Sequence, residues 1–115
     1  MEIPTRQPLD RVFFALSDPT RRAILTRLQL GDATVTDLMR PFSISMPGLT
    51  KHLQILADAD LILKQKRGRS QHCRLNTAGL RRAADWLEIY RKFWDRQLDS
   101  LEKYLDEEQT NKEQT

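Results

Sequence analysis

Apolar residues recur at steps of three and four along much of the chain, which is the spacing of one face of an α-helix. A brief extra helix is expected to start at Thr34 or Thr36 and to end near Arg40, because threonine is a good N-cap. The longer apolar patterns predict four further helices, over residues 9–17, 19–30, 45–58 and 77–105. Asp18 is a good N-cap for the second of these, with Pro19 at its first position.

The helical pattern gives way to another between residues 61 and 76. Two strand-like runs, 61–66 and 71–76, flank Arg67-Gly68-Arg69-Ser70, whose glycine suits a hairpin turn. A lone two-stranded hairpin is marginal in water, so it is expected to lean on the helices. The predicted fold class is mainly α with a small β-hairpin: five helices plus a two-stranded ribbon.

The helix over residues 45–58 is predicted to have two different faces. Ser45 lies where an N-cap belongs, and Pro47 falls in the first turn, where its missing N–H costs little. The stripe expected to face the core consists of Met46, Leu49, Leu53 and Leu56. The opposite face is polar and basic, with Pro47, Thr50, Lys51 and Gln54. An ordinary amphipathic surface helix has the same pattern, so the flanking chain decides between the two interpretations.

The flanking chain favours DNA binding. A short helix, a tight turn and a second helix with a basic outer face form the helix-turn-helix plan, and a hairpin directly behind it is a wing. The cations Lys64, Lys66, Arg67, Arg69 and Arg74, with no acidic residue among them, favour phosphate binding over a merely solvated loop. Residues 1–76 hold 12 Lys/Arg against 7 Asp/Glu, whereas residues 77–115 hold 7 against 9. The basic part contains the helix-turn-helix, as expected of a nucleic-acid binder.

Composition restricts the other classes of function. The 115 residues are enough for one domain, no apolar run approaches the ~18 residues that cross a membrane, and the N-terminus lacks a secretory pattern. A soluble, cytoplasmic protein is expected. The single cysteine, Cys73, excludes an intrachain disulfide and is expected to be a small apolar residue. His72 and Cys73 point to opposite faces of a strand, and no phosphate loop, nucleophile elbow or carboxylate pair is present. The sequence therefore argues against an enzyme, and no cofactor is expected.

The longest predicted helix needs a partner surface. A helix of about 28 residues spans ~42 Å, whereas a compact domain of this size has a radius of gyration of ~13 Å. Five of the eight aromatic residues lie between Trp86 and Tyr104. Self-association in a two-fold dimer is the simplest interpretation, and folding back over its own domain is the alternative. Residues 1–105 are taken as one domain that includes this helix. Residues 106–115 contain no apolar side chain and are expected to be disordered.

The order of these elements resembles the ArsR/SmtB family of bacterial winged-helix repressors. The matching segments are ALSDPTRRAILTRL (15–28), ATVTDLMRPFSISMPGLTKHLQIL (33–56), ADLI (59–62), GRSQHCRL (68–75) and WLEIYRKFWDRQLDSLEKYL (86–105). The aromatic run in the last segment is similar to a branch of the family that does not sense metals. The resemblance implies a homodimeric DNA-binding regulator, usually a repressor, with residues 45–58 as the recognition helix.

The residues expected to touch DNA lie on this helix and on the wing. Lys51 is a candidate for guanine acceptors and Gln54 for adenine. Thr50 is expected to contact a thymine methyl or a phosphate, and Ser45 a phosphate at the helix N-terminus. His52 either packs at the rim of the core or touches a phosphate. The full predicted set is Ser45, Pro47, Thr50, Lys51, His52, Gln54, Lys66, Arg67, Arg69 and Ser70.

The resemblance also sets expectations about metals. Metal sensors of the family carry a Cys-x-Cys pair in the third helix, or paired Asp/His and His/Glu ligands in the terminal helix. Here the third-helix positions are Leu38, Met39 and Arg40, and the terminal helix has no histidine. Because thiolate and imidazole sites need several converging ligands, no metal sensing is predicted.

Two recognition helices related by a dimer axis are expected to read an inverted repeat in double-stranded DNA. The predicted dimer interface comprises Leu9, Phe13, Leu87, Tyr90, Trp94, Leu98, Leu101 and Leu105. The alternative function is a winged helix that contacts acidic proteins without sequence-specific DNA binding. The sequence names neither the operator nor a small-molecule inducer.

Overall fold

The computed structural model describes residues 7–113 of the chain. These residues divide into two units, the first ending at Ala83 and the second beginning at Ala84. The predicted fold class, mainly α with five helices and a small antiparallel sheet, is confirmed. The elements in chain order are α1 (Pro8–Leu16), α2 (Pro19–Leu28), β1 (Ala33–Thr34), α3 (Val35–Met39), α4 (Met46–Asp58), β2 (Ile62–Arg67), β3 (Ser70–Leu75) and α5 (Thr77–Glu113).

Three helices begin where the sequence predicts, because a side-chain oxygen accepts a hydrogen bond from a first-turn N–H that has no partner within the helix. Of the two threonines considered for α3, Thr34 is the one that caps the helix. The capping bonds, with their N···O distances, are Arg21 to Asp18 (3.0 Å), Asp37 to Thr34 (3.1 Å) and Gly48 to Ser45 (3.2 Å).

The wing is a three-stranded sheet in the order β1-β3-β2, one strand more than predicted. β2 and β3 form the expected hairpin, in which Arg67 pairs with Ser70 and Gly68 adopts a φ of 62°. A positive φ at the first loop position is that of a type II′ turn, which favours glycine. β1 has only two residues, too few to show a strand pattern in the sequence. It places Ala33 opposite Cys73 and so joins the wing to the start of α3.

One apolar stripe packs α4 into the hydrophobic core of the first unit. Leu49, Leu53 and Leu56 are each at most 2% exposed. Met46, predicted to extend this stripe, is instead 41% exposed, because the first turn of α4 borders a groove beside the wing. Cys73 is buried in the same core, as predicted, and burial raises the pKa of its thiol. The other large buried residues around the stripe are Ile24, Leu38, Leu61, Ile62 and Val12.

The buried face of α1 is narrower than predicted. The spacing of apolar residues predicts one face with Leu9, Val12, Phe13 and Leu16, whereas the fully buried residues are Val12 and Ala15. Leu9 and Leu16 are half-buried and Phe13 is exposed. An alanine contributes little to an apolar pattern, although its small side chain allows close packing, and the prediction missed it for that reason.

Helix α5 is longer than predicted. It has 37 residues and ends at Glu113, eight residues beyond the expected end at Leu105. The lack of apolar residues after Leu105 predicts a disordered tail, but an existing helix extends without an apolar face when its residues, here rich in Glu and Gln, favour helix. Residues 114–115 of that tail lie outside the described residues. No helix within residues 7–113 is both long enough and apolar enough to cross a membrane.

The start of α5 packs against the turn after α4 with no room for a side chain. Gly79 donates its N–H to the Asp60 carbonyl at 2.9 Å, and Arg82 Nη1 binds the Asp60 carboxylate at 2.8 Å. A Cβ atom on Gly79 would overlap the backbone oxygens of Ala59 and Asp60. This close approach is what requires glycine here.

The substitution Gly79→Ala is expected to lower the free energy of unfolding by roughly 1–3 kcal/mol, because backbone atoms in the way cannot rotate aside. Urea denaturation followed by circular dichroism measures the change. Gly48→Ala in α4 is the matched control: its nearest atom is the Ser45 hydroxyl oxygen at 3.3 Å, and the higher helix propensity of alanine offsets the tight contact. Equal stabilities of the two variants would contradict the packing described for Gly79.

Candidate nucleic-acid interface

The outer face of α4 begins with the exposed residues Ser45, Pro47, Thr50 and Lys51. Ser45 caps the helix, and Pro47 occupies a first-turn position that has no intrahelical acceptor for an N–H. The first turn contains no acidic residue. The positive end of the helix dipole and the Lys51 ammonium therefore act together, and both favour an anion such as phosphate.

Hydrogen bonds within α4 determine which donors and acceptors of Ser45 and Thr50 remain available for DNA. Ser45 Oγ accepts from Gly48 N, so its own proton remains available for a phosphate oxygen. Thr50 Oγ1 donates its only proton to Met46 O at 2.9 Å. A phosphate accepts hydrogen bonds and does not donate them, so a hydroxyl that has given its proton to Met46 O makes no hydrogen bond to a phosphate, and the γ-methyl group remains for apolar contact. Of the two predicted roles of Thr50, contact with a thymine methyl is the one that this geometry favours.

The wing presents its cations at the tip of the hairpin. Lys66, Arg67, Arg69 and Ser70 are all exposed, on either side of Gly68. The Arg67 guanidinium makes one long contact, 3.5 Å from Nη2 to Gln65 Oε1, which leaves most of its five N–H groups for other acceptors. The tip thus offers many donors and no acidic neighbour in sequence.

Two grooves border both α4 and the wing. The larger, about 510 Å³, is lined in part by Met46 at the start of α4 and by Arg69 and Ser70 of the wing. The smaller, about 250 Å³, is lined in part by Thr50 of α4 and Lys64 of β2. The exposed side chains of the two elements therefore belong to one surface. Met46 is part of that surface, and the sequence missed it because its spacing also fits the core stripe.

The side-chain amide of Gln54 is engaged at both ends. Its Nε2 donates to Asp58 Oδ1 at 2.8 Å, and its Oε1 accepts from Lys64 Nζ at 2.7 Å. The predicted base-reading role of Gln54 therefore has to use the second N–H and the second lone pair of the amide. Lys64 was counted only among the wing cations, since sequence spacing gives no signal that a strand residue reaches the helix.

Comparison with known proteins assigns the chain to a family. A helix-turn-helix domain family matches residues 16–65. The transcriptional repressor SdpR of Bacillus subtilis is 40% identical over 79 residues, which cover 69% of this chain and 88% of that protein. The crystal structure of an ArsR family transcriptional regulator is 37% identical with a TM-score of 0.73, covering 77% of this chain and 98% of that one. The chain belongs to the ArsR family of transcriptional regulators.

This assignment confirms the family resemblance seen in the sequence, and with it a DNA-binding transcriptional regulator with a winged helix-turn-helix, not an enzyme. The solution structure of a homodimeric winged helix-turn-helix DNA-binding domain from Mycobacterium bovis shares the fold. It is 21% identical to the regulator, with a TM-score of 0.59, and covers 77% of this chain and 83% of that one.

His52 does not share the exposed face of the regulator's recognition helix. Its side chain is 22% exposed, and its Nδ1 lies 3.2 Å from Arg21 Nη1. A guanidinium only donates, so Nδ1 is the acceptor in this contact. The Asp18 carboxylate, 3.9 Å from the same nitrogen, is the longer contact. Of the two roles considered for His52, packing at the rim of the core is the one that these contacts support.

Arg21 is a structural residue that the sequence did not single out. It is 6% exposed, and its guanidinium lies 5.1 Å from the ring centroid of Phe14. Nε donates to Ala15 O at 2.8 Å and Nη2 to Phe14 O at 3.0 Å, which satisfies two carbonyls at the end of α1. Its backbone N–H bonds the Asp18 carboxylate and lowers the pKa of that group.

A signal for the burial of Arg21 is present in the sequence. Arg21 stands three, four and seven residues before the apolar stripe of α2, and so belongs to that stripe. Its neighbour Arg22 is rotated by about 100° and is exposed. The buried residues of the stripe are Ile24, Leu25 and Leu28.

The second unit of the regulator exposes an apolar stripe along α5. Aromatic rings contact each other on this helix: the centroids of Trp86 and Tyr90 are 4.4 Å apart, and those of Phe93 and Trp94 6.0 Å. The predicted dimer residues of α5 are all 46–59% exposed: Leu87, Tyr90, Trp94, Leu98, Leu101 and Leu105.

Replacing Arg21 by lysine is expected to lower the free energy of unfolding by roughly 2–4 kcal/mol, because one ammonium cannot reach the three partners and leaves buried carbonyls unpaired. Arg22→Lys is the matched control: Arg22 is exposed, its Nη1 donates to Leu16 O at 2.7 Å, and a loss below about 1 kcal/mol is expected. Chemical denaturation of both variants tests the assignment. Equal losses would mean that Arg21 has no special role in joining the helices.

Proposed function

We propose that this regulator is a homodimeric repressor that binds an inverted repeat in double-stranded DNA and responds to no metal ion. The carrying observation is the common surface of the recognition helix and the wing, where Met46 and Thr50 border the same grooves as Arg69 and Lys64. A helix of this kind suits the major groove, and a basic hairpin beside it suits the adjacent backbone. The repressor role is supported by the similarity to SdpR, a transcriptional repressor.

Base reading is assigned to the first half of α4. The exposed Lys51 supplies donors for guanine O6 and N7, and the Thr50 γ-methyl contacts a thymine methyl. Ser45 donates to a phosphate together with the N–H groups of the first turn. Pro47 has no N–H and contributes only its ring. His52 makes no DNA contact in this assignment and instead helps to hold α4 against the preceding helices.

The wing supplies affinity that does not depend on sequence. Lys66, Arg67, Arg69 and Ser70 are assigned to phosphate groups beside the major groove that α4 enters. Each phosphate neutralised by a cation releases counterions, so binding is expected to weaken steeply as salt rises. In this assignment α4 reads bases and the wing holds the DNA backbone. Mutations in α4 should therefore reduce specificity, whereas mutations in the wing should reduce affinity for all sequences.

Dimerisation is assigned to the exposed stripe of α5. An apolar face of this length is costly to leave in water, and a second copy covers both faces at once. The homodimeric Mycobacterium bovis domain, which shares the fold, supports a dimer of this regulator as well. A two-fold axis places the two recognition helices in successive major grooves, about 34–36 Å apart, which corresponds to an inverted repeat.

The absence of metal sensing is inferred from the ligands present. Within residues 7–113, no three His, Cys, Asp or Glu side chains are grouped as a metal ion requires. Cys73 is buried, and the pKa of its thiol is raised, so the thiolate that soft metals bind is disfavoured. Operator binding is therefore expected to persist when zinc or arsenite is added.

The proposal is tested by selecting bound fragments from a random duplex library, which is expected to enrich an inverted repeat. On that repeat, Lys51→Ala should weaken binding by about 1–3 kcal/mol, whereas the same substitution should weaken binding to random DNA far less. Arg69→Ala should weaken binding to both DNAs and reduce the salt slope by about 1. Fluorescence anisotropy at several salt concentrations measures both. No enrichment, with weak salt-independent binding, would favour the alternative of a protein-contact module.

The dimer is tested separately by sedimentation at micromolar concentration, which should give about twice the 13.5 kDa of the chain. Trp94→Glu places a charge on the stripe and should shift the protein toward monomer and weaken operator binding. Ile89→Glu is the matched control, because Ile89 is 69% exposed on the opposite side of α5 and should leave the dimer intact. A monomer with full operator affinity would exclude the two-fold arrangement.

A further inference from the structure

Three side chains form a continuous hydrogen-bonded chain between the recognition helix and the wing. Lys64 of β2 donates to Gln54 Oε1 at 2.7 Å, and Gln54 Nε2 donates to Asp58 Oδ1 at 2.8 Å. Gln54 and Asp58 stand four residues apart on α4, the spacing at which side chains on one face of a helix meet. These hydrogen bonds therefore connect α4 to β2 of the wing through the single side-chain amide of Gln54.

The two neighbours of Gln54 fix which way its amide points. An ammonium only donates, and a carboxylate only accepts, so Oε1 has to face Lys64 and Nε2 has to face Asp58. The flipped amide would place N–H against ammonium and oxygen against carboxylate. The orientation is thus set from both sides, and the long Gln54 side chain loses rotamer freedom before any DNA arrives.

The amide keeps one acceptor and one donor after these two bonds. An amide oxygen has two lone pairs and an amide nitrogen two protons, and each neighbour uses one. One acceptor and one donor are also what the major-groove edge of adenine requires, because its N6 donates and its N7 accepts. Guanine presents two acceptors at the same positions and does not match.

The position of Asp58 at the end of α4 is unfavourable for its charge. It is the last residue of α4, where a negative charge opposes the helix dipole, and the last turn contains no basic residue. On an interface for DNA its charge is also unfavourable. Its bond to Gln54 Nε2 offsets part of this cost and keeps the carboxylate beside the amide.

We propose that Asp58 and Lys64 are positioning residues that preorganise Gln54 to recognise adenine at one base pair of each half-site. Lys64 thereby makes a strand of the wing part of base recognition and not only of phosphate binding. This inference rests on the proposed DNA binding, and it adds a base preference at a single operator position that neither Lys51 nor Thr50 supplies. Its failure leaves the rest of the proposed function standing.

The experiment measures binding to a set of operators in which each base pair of the selected repeat is replaced in turn. The wild-type protein is expected to prefer adenine at one position by at least about fivefold, and Gln54→Ala should abolish that preference. Asp58→Ala should reduce it to below about twofold while leaving binding to random DNA unchanged or tighter, because a negative charge is removed. Asp58→Asn keeps an accepting oxygen for Nε2 and should largely restore the preference.

Lys64→Met and Lys66→Met form a matched pair, since each removes one cation from β2. Both should weaken binding to random DNA, but only Lys64→Met should also lose the adenine preference. Thermal unfolding by circular dichroism shows that each variant is folded. Retention of the preference in both Asp58→Ala and Lys64→Met would overturn the positioning role. Retention in Gln54→Ala would overturn the whole inference, whereas a wild-type protein with no preference at any position would overturn the proposed function itself.

Discussion

The packing of α4 against α1 and α2 depends on one buried guanidinium. Arg21 pairs with the carbonyls of Phe14 and Ala15 at the end of α1 and with His52 on α4, while its own backbone N–H bonds Asp18 at the start of α2. A buried cation is costly unless its donors are used, and here all three side-chain nitrogens have an acceptor. The same contacts that satisfy the charge hold α4 against α1 and α2.

Hydrogen-bond capacity then separates the roles of residues that look alike in the sequence. Ser45 and Thr50 are both small hydroxyl residues, yet only Ser45 keeps its proton free, because Thr50 donates to Met46 O. Gln54 looks like an uncommitted polar residue on the outer face, yet both ends of its amide already have partners. What each residue offers DNA is therefore the part of its capacity that the fold has not used.

The elements that the sequence predicted well are those set by local chemistry. The caps at Asp18, Thr34 and Ser45 and the leucine stripe of α4 follow from residue type and spacing alone. The parts it missed depend on contacts between distant segments. The pairing of β1 with β3, the exposure of Met46 and the reach of Lys64 to Gln54 each require knowing which segment lies beside which. The sequence pattern underestimates the length of α5, because a helix that is already formed continues through residues that lack an apolar face.

Arg91 interrupts the apolar stripe of α5, and its charge is paired by acidic residues on the same helix. Arg91 stands between Leu87 and Trp94, where a lone cation would oppose burial of the stripe. Its Nη2 binds Glu88 Oε1 at 2.7 Å and its Nη1 lies 3.3 Å from Asp95 Oδ2, and the hydrogen bond to Arg91 lowers the pKa of the Glu88 carboxyl. Exposed pairs of this kind add little to stability in water. They would matter in the proposed dimer, because the guanidinium would enter the interface with its countercharges already on its own helix, and a second copy would have no unpaired cation to accommodate at this position.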